Sequence, residues 1–183
     1  KTVELRRQIS EDRAAGQQPF LVVGTAGTVS TGAVDPLPEI AAICAEHDLW
    51  FHVDGAYGAV AAAVPGAPGD LKGLAQADSV AVDPHKWLYA PPEADCALVR
   101  RPDDLRNAFS YHPPYYRFEG GMLNFVDYGL QNSRGFRALK VWMTFMEHGI
   151  DRFGVLVEQN IAQAQYLAAL IERESRLSLT APV

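Results

Sequence analysis

Apolar and polar positions change period several times along the chain, and each change predicts an element. Residues 2–15, "TVELRRQISEDRAA", carry a helical pattern that ends at Gly16. "PFLVVG" (19–24) is a short apolar run between Pro and Gly, which predicts a buried strand. "GTAGTVSTGAVDP" (24–36) is a Gly- and Thr-rich loop, and Asp35-Pro36 supplies an N-cap and a first-turn proline for a helix over 36–47. A strand "LWFHVD" (49–54) comes next, then "GAYG", a short helix over 70–77, and strands "SVAVD" (79–83) and "CALVR" (96–100). Residues 102–132 have no period and predict an irregular segment. Residues 133–149 predict a helix capped by Ser133 and stopped by Gly149, with Phe136, Leu139, Trp142, Met143 and Met146 at packing positions. A second helix is expected over 151–174.

Helix and strand alternate up to residue 83, which predicts an α/β layer with a mainly parallel sheet. Ligands of such sheets sit beyond the carboxyl ends of the strands. The polar groups just past the strands are Thr25 and Thr28, then Asp54, then His85 and Lys86. They are distant in sequence, but the topology predicts that they gather at one sheet edge.

Composition narrows the partners. The 183 residues suffice for one domain with a core, and 48% hydrophobic with 21% charged residues argues against disorder. A net charge of -6 without a basic cluster disfavours nucleic acid and anionic membrane as partners. No apolar run reaches the length of a membrane helix, and no signal-peptide pattern is present. Cys44 and Cys96 have no metal-binding spacing, and two lone thiols fit a reducing, cytoplasmic compartment. The chain opens at Lys1 inside a charged helical pattern and stops at "LSLTAPV", an element barely begun; a piece of a longer protein is expected.

Asp54 ends an apolar strand and is followed by the small residues Gly55, Ala56 and Gly58. It reads either as a turn or cap aspartate or as a carboxylate facing a cation beside a flat ligand. Lys86, in "SVAVDPHKWL", reads either as a surface lysine beside a core tryptophan or as a desolvated amine able to form a Schiff base. His85 alone fits a structural histidine equally well. A lysine and a carboxylate on one edge are the pair that a pyridoxal phosphate site requires: the amine holds the aldehyde as an imine, and the carboxylate keeps the pyridine nitrogen protonated.

"VVGTAGTVSTGAVDPL" (22–37), "WFHVDGAYG" (50–58), "ADSVAVDPHKWL" (77–88) and "SRGFRALKVW" (133–142) occur together and in order. On these motifs the chain resembles the pyridoxal-phosphate-dependent group II amino acid decarboxylases of the aromatic-L-amino-acid decarboxylase type. The resemblance covers nearly the whole chain and implies a fold type I, aspartate-aminotransferase-like architecture. Residues 1–101 would be the second half of the large cofactor-binding domain. Residues 102–132 would be the mobile catalytic loop, and 133–183 helices leading into the small C-terminal domain.

By the same resemblance, Lys86 is the residue that binds pyridoxal 5'-phosphate covalently, and Asp54 partners the pyridinium nitrogen. Ala56 packs on one ring face, Thr28 contacts the cofactor, and His85 stands near its phosphate. Asp83 occupies a position where the animal enzymes carry a cofactor-binding asparagine; a carboxylate there would repel phosphate unless it turns away or binds through its main chain. Tyr115 matches the proton-donating loop tyrosine, with Tyr116 one residue away as the alternative register. Tyrosine at that place, where phenylalanine favours aldehyde formation with oxygen, implies plain decarboxylation. Arg134 and Arg137 are open between facing the site and pairing at a subunit interface. The phosphate-cradling residues and the ring-stacking histidine of the family would precede residue 1, so this stretch alone is expected to be inactive. A homodimer acting on a small L-amino acid, aromatic by default, is implied. The competing readings are another fold type I enzyme, an aminotransferase or lyase, and a non-catalytic homologue serving as a dimerisation module.

Overall fold

The structure is a computed structural model and describes residues 1–115 and 123–183. Helix α1 (Thr2–Ala14) precedes strand β1 (Leu21–Thr25), helix α2 (Leu37–His47) and strand β2 (Trp50–Asp54). Two 3-10 segments, Gly58–Ala63 and Gly69–Gln76, lead to β3 (Ser79–Val82) and β4 (Cys96–Val99). Helix α3 (Pro102–Phe109), a 3-10 turn (Phe125–Tyr128), α4 (Arg137–His148) and α5 (Ile150–Arg173) complete the described chain.

The sheet order is β1-β2-β3-β4. The first two pairings are parallel, with Thr25 beside Asp54 and Asp54 beside Ala81; β4 turns back antiparallel to β3. Parallel register brings the carboxyl ends of β1, β2 and β3 to one edge, as the order of elements predicts. The mixed α/β sheet agrees with the fold type I architecture that the resemblance implies.

The core lies on one face of this sheet. Alternation along β2 sends Phe51 and Val53 inward against Leu37, Ile40 and Ile43 of α2, with Leu71 and Ala77 completing the cluster. The other face is open among the described residues: Leu21 and Val23, in register with Trp50 and His52, are exposed. "PFLVVG" was expected to be buried on both sides, and only its core-facing side is. Trp50 and His52, on the open face, both reach the Ser79 hydroxyl, at 2.8 and 2.7 Å.

Four further expectations change. Asp35 does not cap α2; its carboxylate accepts the Thr25 N–H at 2.8 Å, pinning the loop to the end of β1, and α2 begins after Pro36 without a side-chain cap. Ser133 does not cap α4, which starts four residues later with Phe136 at its N-cap. Residues 102–132 are not irregular throughout, because Pro102 at the first helical turn followed by Asp103 and Asp104 starts α3. The apolar row of α4 is not core among the described residues: Phe136, Leu139, Trp142, Met143 and Met146 are all exposed.

Candidate active site at the carboxyl edge of the sheet

Two loops meet at the strand ends, backbone against backbone. Ala26 N–H donates to the Asp54 carbonyl at 2.8 Å, and Gly58 N–H donates to the Ala26 carbonyl at 3.0 Å. A Cβ on Gly58 would stand 2.4 Å from the Ala26 oxygen, which backbone cannot yield. The small residue at 58 therefore serves loop-to-loop contact. The loop after β1 doubles back through Thr28, whose hydroxyl accepts the Ala33 N–H at 3.1 Å and lies 2.9 Å from the Thr31 hydroxyl.

Asp54 ends β2 with an exposed side chain, and its Oδ1 accepts the Ala56 N–H at 3.2 Å. Among the described residues no cation pairs with it, so its charge faces open space at the sheet edge. Ala56 is half-buried, and its carbonyl accepts the Asp83 N–H at 3.2 Å, which ties the second loop to the third.

The third loop carries the lysine. Buried Pro84 anchors it, and Lys86 N–H donates to the Asp83 carbonyl at 2.9 Å. The Lys86 ammonium lies 2.5 Å from Asp83 Oδ2, with side chains 39% and 17% exposed. The Asp83 N–H is used by the Ala56 carbonyl, and its carboxylate turns to the lysine. His85 is held by the segment leading into β4, its Nδ1 3.0 Å from the Ala94 carbonyl and 3.1 Å from Asp95 Oδ1. The Ala94 N–H also points at this Nδ1, at 3.4 Å, so the ring is held from one side by both backbone groups of Ala94 and by Asp95. Ligand atoms of Asp83, His85 and Asp95 lie within 4.8 Å of one another, but the Lys86 ammonium on Asp83 disfavours a metal ion there.

Tyr115 lies on the segment after α3 and is 79% exposed. Tyr116 lies outside the described residues. The stem of that segment is clasped by Asp127, a buried carboxylate 2.8 Å from His112 Nε2 that also accepts the Ser110 hydroxyl at 3.1 Å. The His112 hydrogen bond, opposed by desolvation and helped by Ser110 and Arg106, holds the Asp127 carboxyl below the ordinary carboxylate range. Arg137 pairs with Glu93 and Arg134 donates to the Phe125 and Gln131 carbonyls, so neither guanidinium points to Lys86.

One participant escapes the sequence motifs. Asn160 of α5 accepts from both the Trp87 indole N–H and the Tyr89 hydroxyl, each at 2.9 Å. Its signal is a polar residue on the packed stripe of α5, in step with Phe153, Val157 and Ile161.

A primary amine, a free carboxylate and a small-residue floor, brought to one edge from three strand ends, form the donor set that a pyridoxal cofactor requires. Comparison with known proteins agrees. An aromatic-L-amino-acid decarboxylase of Bacillus atrophaeus is 38% identical over 182 residues, covering 97% of this chain and 38% of the relative. A histidine decarboxylase of Drosophila melanogaster is 36% identical over 179 residues, covering 97% of this chain and 21% of the relative. The crystal structure of an Oryza sativa TDC with PLP and tryptamine superposes with a TM-score of 0.92 at 29% identity, over 100% of this chain and 38% of that one. Mouse CSAD in apo form gives 0.90 at 32% identity, again over 100% and 38%. The chain thus spans well under half the length of these relatives. The pyridoxal-dependent decarboxylase conserved domain matches residues 1–183 in full, and the chain belongs to that family.

Proposed function

We propose that this chain is the lysine- and loop-bearing part of a longer pyridoxal-phosphate-dependent enzyme that decarboxylates an L-amino acid to its amine and CO2. The observation that carries the proposal is the placement of Lys86. Its amine stands at the carboxyl edge of a parallel sheet, on a loop hydrogen-bonded to the one that Asp54 begins.

When bound, the cofactor supplies an electron sink for the pair left behind as CO2 departs. The chain's own residues have separate tasks. Lys86 Nζ must release a proton before it can attack an aldehyde, and Asp83 Oδ2 is placed to take it. The Asp54 carboxylate, without a cation among the described residues, is available to a protonated ring nitrogen. Ala56 leaves room for a flat ring. Thr28 and His85 stand on the flanking loops. Tyr115 Oη returns a proton to the carbon that CO2 has left.

An aromatic substrate is supported by relatives described as aromatic-L-amino-acid and tryptophan decarboxylases. We also propose a homodimer and a cytoplasmic location. The exposed apolar row of α4 supports the first, as a surface that further protein must cover; the unpaired Cys44 and Cys96 support the second.

The test uses the full-length protein. Pyridoxal phosphate is added, the visible absorbance recorded, the adduct reduced with borohydride and the peptides mapped by mass spectrometry. A pyridoxyl group on Lys86, followed by release of amine and CO2 from an aromatic L-amino acid, is expected. A keto acid product would favour an aminotransferase, and an unmodified Lys86 in folded protein would end the enzyme reading.

A further inference from the structure

Trp87 and Tyr89 lie just past Lys86, and both end on the same atom. The Trp87 indole N–H and the Tyr89 O–H each reach Asn160 Oδ1 at 2.9 Å, across 73 and 71 residues of chain. An indole N–H can only donate, so the amide oxygen must face the pair. The amide nitrogen points away, to Gln163 Oε1 at 3.3 Å. Asn160 is half-buried in a helix whose neighbouring inward residues, Phe153, Val157 and Ile161, are apolar. A polar group in that row is retained at a cost unless its bonds matter.

The grip has a second jaw. The Tyr57 ring, just after Asp54-Gly55-Ala56, stacks on Trp87 with centroids 4.9 Å apart and planes at 24°. Trp87 is therefore fixed between the aspartate loop and α5. Tyr89 itself has φ 56°, the left-handed region that a non-glycine residue occupies only when its surroundings impose it. Its N–H donates to the Lys86 carbonyl at 3.1 Å, and its hydroxyl is tied to Asn160. The backbone on the amino side of Lys86 is held by Asp83, and the backbone on the carboxyl side is held through Asn160.

We propose that Asn160 is a positioning residue for Lys86: by fixing Trp87 and the left-handed Tyr89, it sets where the lysine amine stands relative to Asp54. The inference rests on Lys86 being the cofactor-bearing lysine. Without the shared acceptor, two donors lose their partner and the turn relaxes from its left-handed residue. The amine then samples positions that do not meet the aldehyde.

The test compares Asn160→Leu, Asn160→Asp, Tyr89→Phe and the Asn160→Leu/Tyr89→Phe double variant in the full-length protein. The apparent Kd for pyridoxal phosphate is measured from the fraction of Lys86 trapped by borohydride. Urea unfolding without cofactor and the pH at which the bound cofactor's visible absorbance changes are recorded beside it. Asn160→Leu is expected to raise the apparent Kd about tenfold and Tyr89→Phe about threefold, the worth of one or two net hydrogen bonds. Asn160→Asp keeps an acceptor oxygen and should stay within about twofold. The double variant should be no worse than Asn160→Leu, because both changes remove bonds to one atom. The absorbance midpoint should move in Asn160→Leu and hold in Asn160→Asp. Unchanged cofactor affinity in folded Asn160→Leu, with only the urea midpoint lowered, would overturn the proposal, as would additive effects in the double variant. Absence of pyridoxyl-Lys86 in the wild-type protein would instead overturn the functional reading and this inference with it.

Discussion

The Lys86 ammonium and the Asp83 carboxylate form a closed unit, 2.5 Å apart at Oδ2 and joined again by a main-chain hydrogen bond at 2.9 Å. With the lysine more than a third exposed, the pair contributes about 1 kcal/mol or less to stability. Its value is orientation. Asp83→Ala should leave unfolding nearly unchanged while slowing pyridoxyl incorporation at Lys86. Asp83→Asn keeps a hydrogen-bond acceptor for the amine but cannot take its proton, so incorporation should slow as in Asp83→Ala. Stopped-flow absorbance after cofactor addition measures both; a rate in Asp83→Ala equal to wild type would remove Asp83 from the chemistry.

Asp54 differs in kind, because its carboxylate has one hydrogen bond, from Ala56 N–H, and no cation among the described residues. Asp54→Asn keeps that bond and loses the charge. If the charge stabilises a protonated ring nitrogen, kcat should fall by about 100- to 1,000-fold with little loss of folding stability. Steady-state amine release and thermal unfolding of the same variant give the comparison. A loss in stability of the same proportion would mark Asp54 as a loop residue.

Much of this site was legible in the sequence, because it derives from topology. Thr28, Asp54, His85 and Lys86 each stand just beyond an apolar run, and parallel register gathers the carboxyl ends of such runs at one edge. The features that were not legible depend on contacts between distant segments. Asp35 reads as a helix cap, yet Thr25 N–H captures its carboxylate. Gly58 reads as space for a flat ligand, yet it makes space for another backbone. Asn160 carries no local mark beyond its place on an apolar stripe, and Asp127 none beyond its place among aromatics. The exposed row of α4 reads as core by its period alone, since periodicity reports an apolar face and not what covers it.

The contact at Gly58 gives a direct test of loop packing. Gly58→Ala places a methyl group 2.4 Å from the Ala26 carbonyl oxygen, so one loop must shift. Two loops that share the Asp54 and Ala26 bonds would separate, and cofactor trapping on Lys86 should fall alongside stability. A destabilisation of about 1–3 kcal/mol is expected from denaturant unfolding, the usual cost of overpacking. An undisturbed unfolding midpoint would show that the loops yield without strain.

The two thiols should separate chemically. Cys44 is buried in α2, and burial, with the nearby Asp78 charge, pushes its pKa up to about 11; at pH 8 it is a protonated thiol. Cys96 is also raised by desolvation, but its side chain lies on the exposed β4. Iodoacetamide at pH 8 should label Cys96 first and Cys44 only after denaturant is added, as peptide mass spectrometry would record. Labelling of both at one rate would mean that α2 opens readily.

The clasp under the Tyr115 segment should depend on acid. The folded pKa of Asp127 is lowered, first by the His112 hydrogen bond and then, against desolvation, by Ser110, His112 charge and Arg106. A lowered carboxyl pKa gives stability that is fully present above the unfolded value, near 4, and is lost as pH falls through the folded value. The Asp127→Asn variant cannot gain or lose that proton. The difference in melting temperature between wild type and Asp127→Asn should therefore be largest at neutral pH and shrink below about pH 4. Scanning calorimetry of the full-length protein from neutral to acid pH gives both curves. A constant difference across that range would mean that the buried carboxylate is not held by charge, and that His112 and Ser110 serve only to fill its hydrogen bonds.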